Sequence, residues 1–185
     1  AECRMQNAEC RVQSGGTGRF GLMLVMCALA VNGARAETID RVLAVVAGQL
    51  ITLSDVAAAT DLGLQTPGNA TDPVRVVLDK LIDRELVLAE VDRYAPAEPT
   101  ADAVDREVEK VRQRFPSPSA FDATLARSGI DERRLRETLR QDLRIQAYLD
   151  QRFSTSADQR VSAVKEWVTG LRHRGEVIDL YLAGR

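Results

Sequence analysis

With 185 residues, 45% of them hydrophobic and 28% charged, the chain is long enough to bury a core of its own as one ordinary domain. Its formal net charge of -2 argues against a nucleic-acid partner, which would call for a basic stripe or patch. Arginines alternate with Asp and Glu along the polar stretches, the pattern of solvated helix faces laced with ion pairs.

Residues 1–36 have the layout of an export signal. Arg4, Arg11 and Arg19 precede a short apolar run, Phe20 to Val31, and Ala34-Arg35-Ala36 supplies the small-x-small pattern that signal peptidase requires. The run is shorter than the roughly 20 apolar residues of a membrane span. The expectation is therefore cleavage between Ala36 and Glu37, release into the periplasm and no stable membrane insertion. Leu24-Val25-Met26-Cys27 offers an alternative lipoprotein reading, against which the bulk of Met26 argues. The chain opens on Ala1 and repeats A-E-C-R at Ala1 and Ala8, which points to a fragment or to a start at Met5. Cys3, Cys10 and Cys27 all lie in this leader, so residues 37–185, read as one domain, can form neither a disulfide nor a thiolate metal site.

The first structured stretch is Ile39 to Val56, I-D-R-V-L-A-V-V-A-G-Q-L-I-T-L-S-D-V. Aliphatic residues flank the pair Ala47-Gly48, which predicts two short strands joined by a tight turn. Thr52, with Asp55 three residues on, is a capping-box pattern that starts a short helix through Val56 to about Leu62. Gly63 to Thr71 reads as a loop by its Gly, Pro and Asn. Asp72 caps the next helix with Pro73 in its first position, where a missing N–H costs nothing. That helix runs to Tyr94, and Val74, Val77, Leu78, Leu81, Ile82, Leu86, Leu88 and Ala89 give it the wide stripe of a central, largely buried element.

Ala95 to Pro99 breaks the helix and Thr100 caps another. Val104, Val108, Val111 and Phe115 form one narrow stripe on a charged rod that Pro116 stops. Ser117 and Pro118 start a shorter helix carrying Phe121 and Leu125, closed by Gly129. Asp131 caps a long helix to about Phe153 with Leu135, Leu139, Leu143, Leu149 and Phe153 as its spine. Ser156 with Gln159 predicts a second capping box, opening a helix that presents Val161, Val164, Trp167, Val168 and Leu171. His173, near its end, has no His or Cys with which to share a metal and reads as a solvent-facing or helix-end residue, a place where a cation suits the dipole. A last strand, Glu176 to Leu182, would place Ile178, Leu180 and Leu182 on the buried face. A two-stranded hairpin is marginal alone, so this strand is the expected third member of its sheet. The fold class is thus mostly α, with a small antiparallel β-sheet made by the N-terminal hairpin and the C-terminal strand.

The sequence holds no glycine-rich phosphate loop, no His-Glu-x-x-His and no G-x-S-x-G, and no cysteine nucleophile follows the leader. The carboxylates sit among arginines on charged helix faces, and the aromatic residues fall on helical spacings that suit a core. No catalytic residue, cofactor site or metal site is expected.

Four runs carry a family resemblance: D-R-V-L-A-V-V-A-G-Q-L-I-T-L-S-D-V, L-I-D-R-E-L-V-L-A-E-V-D-R-Y, R-F-P-S-P-S-A-F-D-A-T-L-A-R-S-G-I and L-R-E-T-L-R-Q-D-L-R-I-Q-A-Y-L-D-Q-R-F. In this order they resemble the N-terminal domain of SurA-type periplasmic chaperones, and V-K-E-W-V-T-G-L-R-H-R-G-E-V-I-D-L-Y-L is similar to that family's closing helix and strand. The resemblance implies a helical peptide-binding domain, akin also to that of trigger factor, in which the closing strand returns to the N-terminal sheet. Two departures stand out. The family typically has Asn-Gly where this chain has Ala47-Gly48, and Ala tolerates the left-handed conformation less well, which suggests another turn type. Only Ser154 to Asp158 separates the helices from the closing segment, where the family usually inserts parvulin-type prolyl isomerase domains. Residues 37–185 hold one His and no Cys, so the isomerase activity is not carried over.

The expected function is that of a periplasmic holdase: non-enzymatic, independent of ATP, and binding unfolded secreted or outer-membrane polypeptides. Val104, Val108, Phe115, Phe121 and Leu125, beside the Pro116 and Pro118 break, are the candidate client contacts. The competing reading makes them ordinary core. Two other functions remain open at this stage: a member or fragment of a peptidyl-prolyl isomerase family, and an assembly subunit with one dedicated folded partner.

Overall fold

In the computed structural model, which describes residues 40–154 and 156–181, a hairpin opens the chain. Strand β1 (Val42–Val46) pairs antiparallel with β2 (Gln49–Thr52), Val46 opposite Gln49 and Ala44 opposite Ile51, with a bulge between Val42 and Ala44. At the turn, φ is 48° at Ala47 and 82° at Gly48. Positive φ at both central residues is the pattern of a type I′ turn, so the expectation of another type is corrected. The right-handed strand twist selects this turn, and it overrides the roughly 1–2 kcal/mol cost of the left-handed region for a residue with a Cβ. The Ala47 N–H donates to the Glu176 carbonyl at 3.0 Å, anchoring the turn to the end of the chain.

Six helices follow among the described residues: α1 (Leu53–Asp61), α2 (Pro73–Tyr94), α3 (Ala101–Arg112), α4 (Pro118–Arg127), α5 (Glu132–Arg152) and α6 (Ala157–Arg174). Five of their starts are capped as expected. Thr52 and Asp55 form a reciprocal capping box, and the side chains of Asp72, Thr100, Ser117 and Asp131 each accept from a backbone N–H three residues on. Ser156 is the exception, since its side chain makes no cap hydrogen bond and the predicted box with Gln159 does not form. Helix α6 meets the core only through its second half, at Trp167, Val168 and Leu171, while Val161 is 70% exposed.

Strand β3 (Val177–Asp179) closes the sheet against β1, giving the order β2-β1-β3. Val177 lies opposite Val46, Ile178 opposite Val45 and Asp179 opposite Ala44, and the Leu180 N–H extends the ladder to the Leu43 carbonyl at 2.9 Å. The two ends of the domain therefore meet as expected, but the inward face of β3 is the other one. Val177 and Tyr181 pack on the core and Ile178 is exposed, while Leu182 lies outside the described residues, as do the leader and the cleavage pair Ala36 and Glu37. The register decides this. Val46 is fully buried, so its cross-strand partner Val177 must share its face, and side chains along a strand alternate.

The apolar interior has two parts. One joins the sheet, α1, α2, the second half of α5 and α6, around the fully buried Leu43, Val46, Val77, Leu78 and Val91. The other joins the end of α1 to α3, α4 and the first half of α5, around Phe121 and Leu135. Helix α2 is the central element of the first, burying seven residues from Val77 to Val91. Gly175 lets α6 end against it: a Cβ there would stand 2.5 Å from Leu86 Cδ2 and 2.8 Å from the Leu171 carbonyl oxygen.

Polar contacts fasten β3 to the start of α2. Arg75 donates to Asp79 at 2.8 and 3.1 Å and pairs with Asp179, and the Tyr181 hydroxyl donates to the Asp72 carboxylate at 2.8 Å. Arg172 on α6 pairs with Asp83 and donates to the Asp79 carbonyl at 2.7 Å. Partial burial works against the charge on Asp179, but hydrogen bonds from Arg75 and the Tyr181 N–H, with the charges of Arg75 and Arg172, outweigh it and hold its pKa below the usual 3.8.

Two outcomes follow from the turn and this fastening. Ala47 is exposed, so Ala47→Asn relieves the left-handed strain without a new contact and should raise stability by about 0.5–1 kcal/mol in urea denaturation. A carboxylate with a depressed folded pKa contributes stability that is present above its unfolded value and lost as pH falls through its folded value. Thermal stability should thus drop below about pH 4, and Asp179→Asn should flatten part of that drop in melts recorded from pH 6 to pH 2.

Candidate functional site

The structure brings the five candidate client residues together, on the inside of the second cluster. Val104 and Val108 on α3 and Phe121 and Leu125 on α4 are buried, and Phe115, just past α3, is half-buried against them. The Phe115 and Phe121 rings meet edge to face at 5.6 Å, and the Arg112 guanidinium covers Phe121 at 5.1 Å. These side chains hold α3 and α4 onto α5. In this form they present no open groove.

An open cleft lies elsewhere, where the two clusters diverge. A cleft of about 350 Å³ runs between β2, α1, α2 and the first half of α5. Its apolar lining comes from Leu50 on β2, Ala58 and Ala59 on α1, Leu81 and Leu88 on α2, and Leu64 and Ile130 from the connections. Helical spacing explains the α2 wall, because Leu81, Leu88 and the lining residues Glu85 and Asp92 recur at three to four residues on one face. Polar groups alternate with the apolar ones: Asp55, Glu85, Asp92, Arg134, Glu137 and Asp142 also line it.

Arg84 sets the spacing of the cleft's walls. It leaves α2 with only 13% of its side chain exposed and reaches α5, where Nε donates to Asp142 at 2.7 Å and Nη2 to Gln141 at 3.0 Å and to the Thr138 carbonyl at 3.2 Å. Its Nη1 donates to Glu85 at 2.6 Å. One planar guanidinium thus satisfies four acceptors on two helices, which a lysine could not do. A second link, Arg144, pairs with Asp92 at 2.9 Å and Glu98 at 3.1 Å.

Reading the sequence for function missed this cleft. Leu81 and Leu88 stand there as members of the wide α2 stripe, and Arg84 and Glu85 as ordinary charged-face residues, with nothing to mark that α5 would stop short of them. The signal that was available is Leu50, an apolar residue out of phase with the buried Ile51 beside it and 60% exposed in the fold. His173 is exposed in the last turn of α6, as expected. Among the described residues, no group of His, Cys, Asp and Glu is arranged to hold a metal ion, and no helix is long and apolar enough to cross a membrane.

A scan against protein-family models gives no match for this chain, and neither does a search of curated proteins.

Arg84→Ala should lower stability by about 1–3 kcal/mol in urea denaturation, because four acceptors lose a shared and mostly buried donor. Arg84→Lys should recover less than half of that loss.

Proposed function

We propose that this chain is a polypeptide-binding module of the SurA type, a holdase of the periplasm that keeps unfolded secreted or outer-membrane proteins from aggregating without using ATP. The observation that carries the reading is the cleft of about 350 Å³ beside an edge strand, with aliphatic and charged residues interleaved along its walls. Such a lining suits clients of varied sequence: the aliphatic patches take apolar side chains, and the carboxylates and arginines take polar groups without one fixed partner. The mostly helical fold closed by its own C-terminal strand supports the same reading, because it is the architecture that the resemblance to SurA-type domains leads one to expect. The four buried residues on α3 and α4, with the half-buried Phe115, then serve as the frame that presents α5 to the cleft.

Binding in this mode is weak and reversible. Ordering a disordered client costs conformational entropy, and a cleft of this size offers limited area in return. Release needs no chemistry.

Residues 37–185 should delay aggregation of a urea-diluted outer-membrane β-barrel protein, followed by light scattering, at a few-fold molar excess and without nucleotide. Aggregation as fast as in buffer alone would sink the reading, and so would a single stoichiometric folded partner recovered from periplasm in its place.

A further inference from the structure

Strand β2 stands at an edge of the sheet, with β1 on one side only. In its ladder with β1, Val46 faces Gln49 beside the turn, Val45 faces Leu50 and Ala44 faces Ile51. Bonded and non-bonded pairs alternate along an antiparallel ladder, and the pair that closes a two-residue turn is a bonded one. The register therefore turns the N–H and C=O of Leu50 away from β1. The same residue is 60% exposed and lines the cleft.

The charge of the cleft is one-sided. Five carboxylates line it, Asp55, Glu85, Asp92, Glu137 and Asp142, against the arginines Arg84 and Arg134. Arg84 is saturated by Asp142, Glu85, Gln141 and the Thr138 carbonyl. Arg140 and Arg144 reach Glu137 and Asp92 from outside the lining, but each is shared with Glu98, so they offset only part of the negative charge.

We infer that this edge and cleft take an extended polypeptide segment in which apolar and basic residues alternate, added beside β2 as a further strand. The inference rests on the polypeptide-binding reading above and names its place and its client chemistry. Backbone hydrogen bonds at Leu50 hold the segment whatever its sequence, as in other strand additions. Side chains of the segment alternate in direction, so aliphatic ones reach the α2 wall at Leu81 and Leu88 while lysines or arginines face the α5 wall at Glu137 and Asp142. Acidic segments are repelled.

The test uses two fluorescein-labelled peptides, one of alternating valine and lysine and one of alternating valine and glutamate, titrated with residues 37–185 and followed by anisotropy. The lysine peptide should bind at least about tenfold more tightly than the glutamate peptide, and its affinity should fall as salt is raised. Leu50→Pro removes an N–H that β1 does not use, a position where an edge strand tolerates proline. It should weaken binding about tenfold, the worth of one or two backbone hydrogen bonds, with the melting temperature nearly kept. Glu137→Lys, on the exposed rim, is the second variant and should shift preference toward the glutamate peptide. Equal affinity for the two peptides overturns the inference, as does a folded Leu50→Pro that binds like the wild type. So does sedimentation showing a wild-type dimer that Leu50→Pro dissolves, which would give the edge to a second copy of the chain. A protein that suppresses aggregation yet ignores the lysine peptide overturns this inference alone and leaves the polypeptide-binding reading standing.

Discussion

The return of the last strand to the first is the constraint on which the rest of the domain depends. Strand β1 is central, and its residues Leu43, Ala44 and Val46 are fully buried, so its backbone needs a partner on both sides. The hairpin supplies one. The other is β3, from the far end of the chain, and the Arg41 guanidinium reinforces it by donating to the Tyr181 carbonyl across 140 residues of sequence. Closing so long a loop costs more than closing a short one, but only as the logarithm of its length. The kinetic consequence is larger, since the sheet cannot be completed until both ends have been made and brought together.

What fastens that closure is polar and peripheral, while what makes it favourable is apolar and central. Arg75, Asp179, Tyr181 and Asp72 lie around the start of α2 and are partly exposed, so each contributes modestly. Beneath them Val177 and Tyr181 add to the cluster built on α2, and apolar burial there outweighs any single ion pair. The charged groups tie β3 to the start of α2 at its rim. Gly175 has the complementary role, since it permits α6 to end within contact of Leu86, from which the chain turns into β3.

Most of the architecture could be read from the residues because its signals are local. Asp72 before Pro73, Ser117 before Pro118, Asp131 and the Thr52–Asp55 pair each act within one turn of backbone, and all four start a helix in the fold. The failures occur where a distant partner decides. At Ala47 the sheet twist imposed a left-handed residue that its own preference would avoid. At β3, a strand of three residues with aliphatic side chains on both faces, hydrophobicity could not choose a side, and pairing with Val46 chose it. At Ser156 the pattern for a capping box is present, but the side chain makes no cap hydrogen bond. The five client candidates are the reverse case: their spacing correctly marks apolar stripes, but a stripe is equally the sign of a core, and here α3 and α4 close over it.

The cleft shows why a surface feature is harder to read than a fold. Helix α5 contributes to both clusters, α1 and α2 belong to the first, and Leu62, just past α1, belongs to the second, so the walls part where the two clusters diverge. Left dry and purely aliphatic, such a gap would close by collapse or recruit a second chain. Arg84 spans it to Asp142, Gln141 and Thr138, and carboxylates line the walls around that link. A groove lined by both polar and apolar groups can accept an apolar segment by displacing water, but it retains polar groups that compete with the segment for contact. The cleft depends on residues that are each unremarkable on a helix face until four elements place them around one gap.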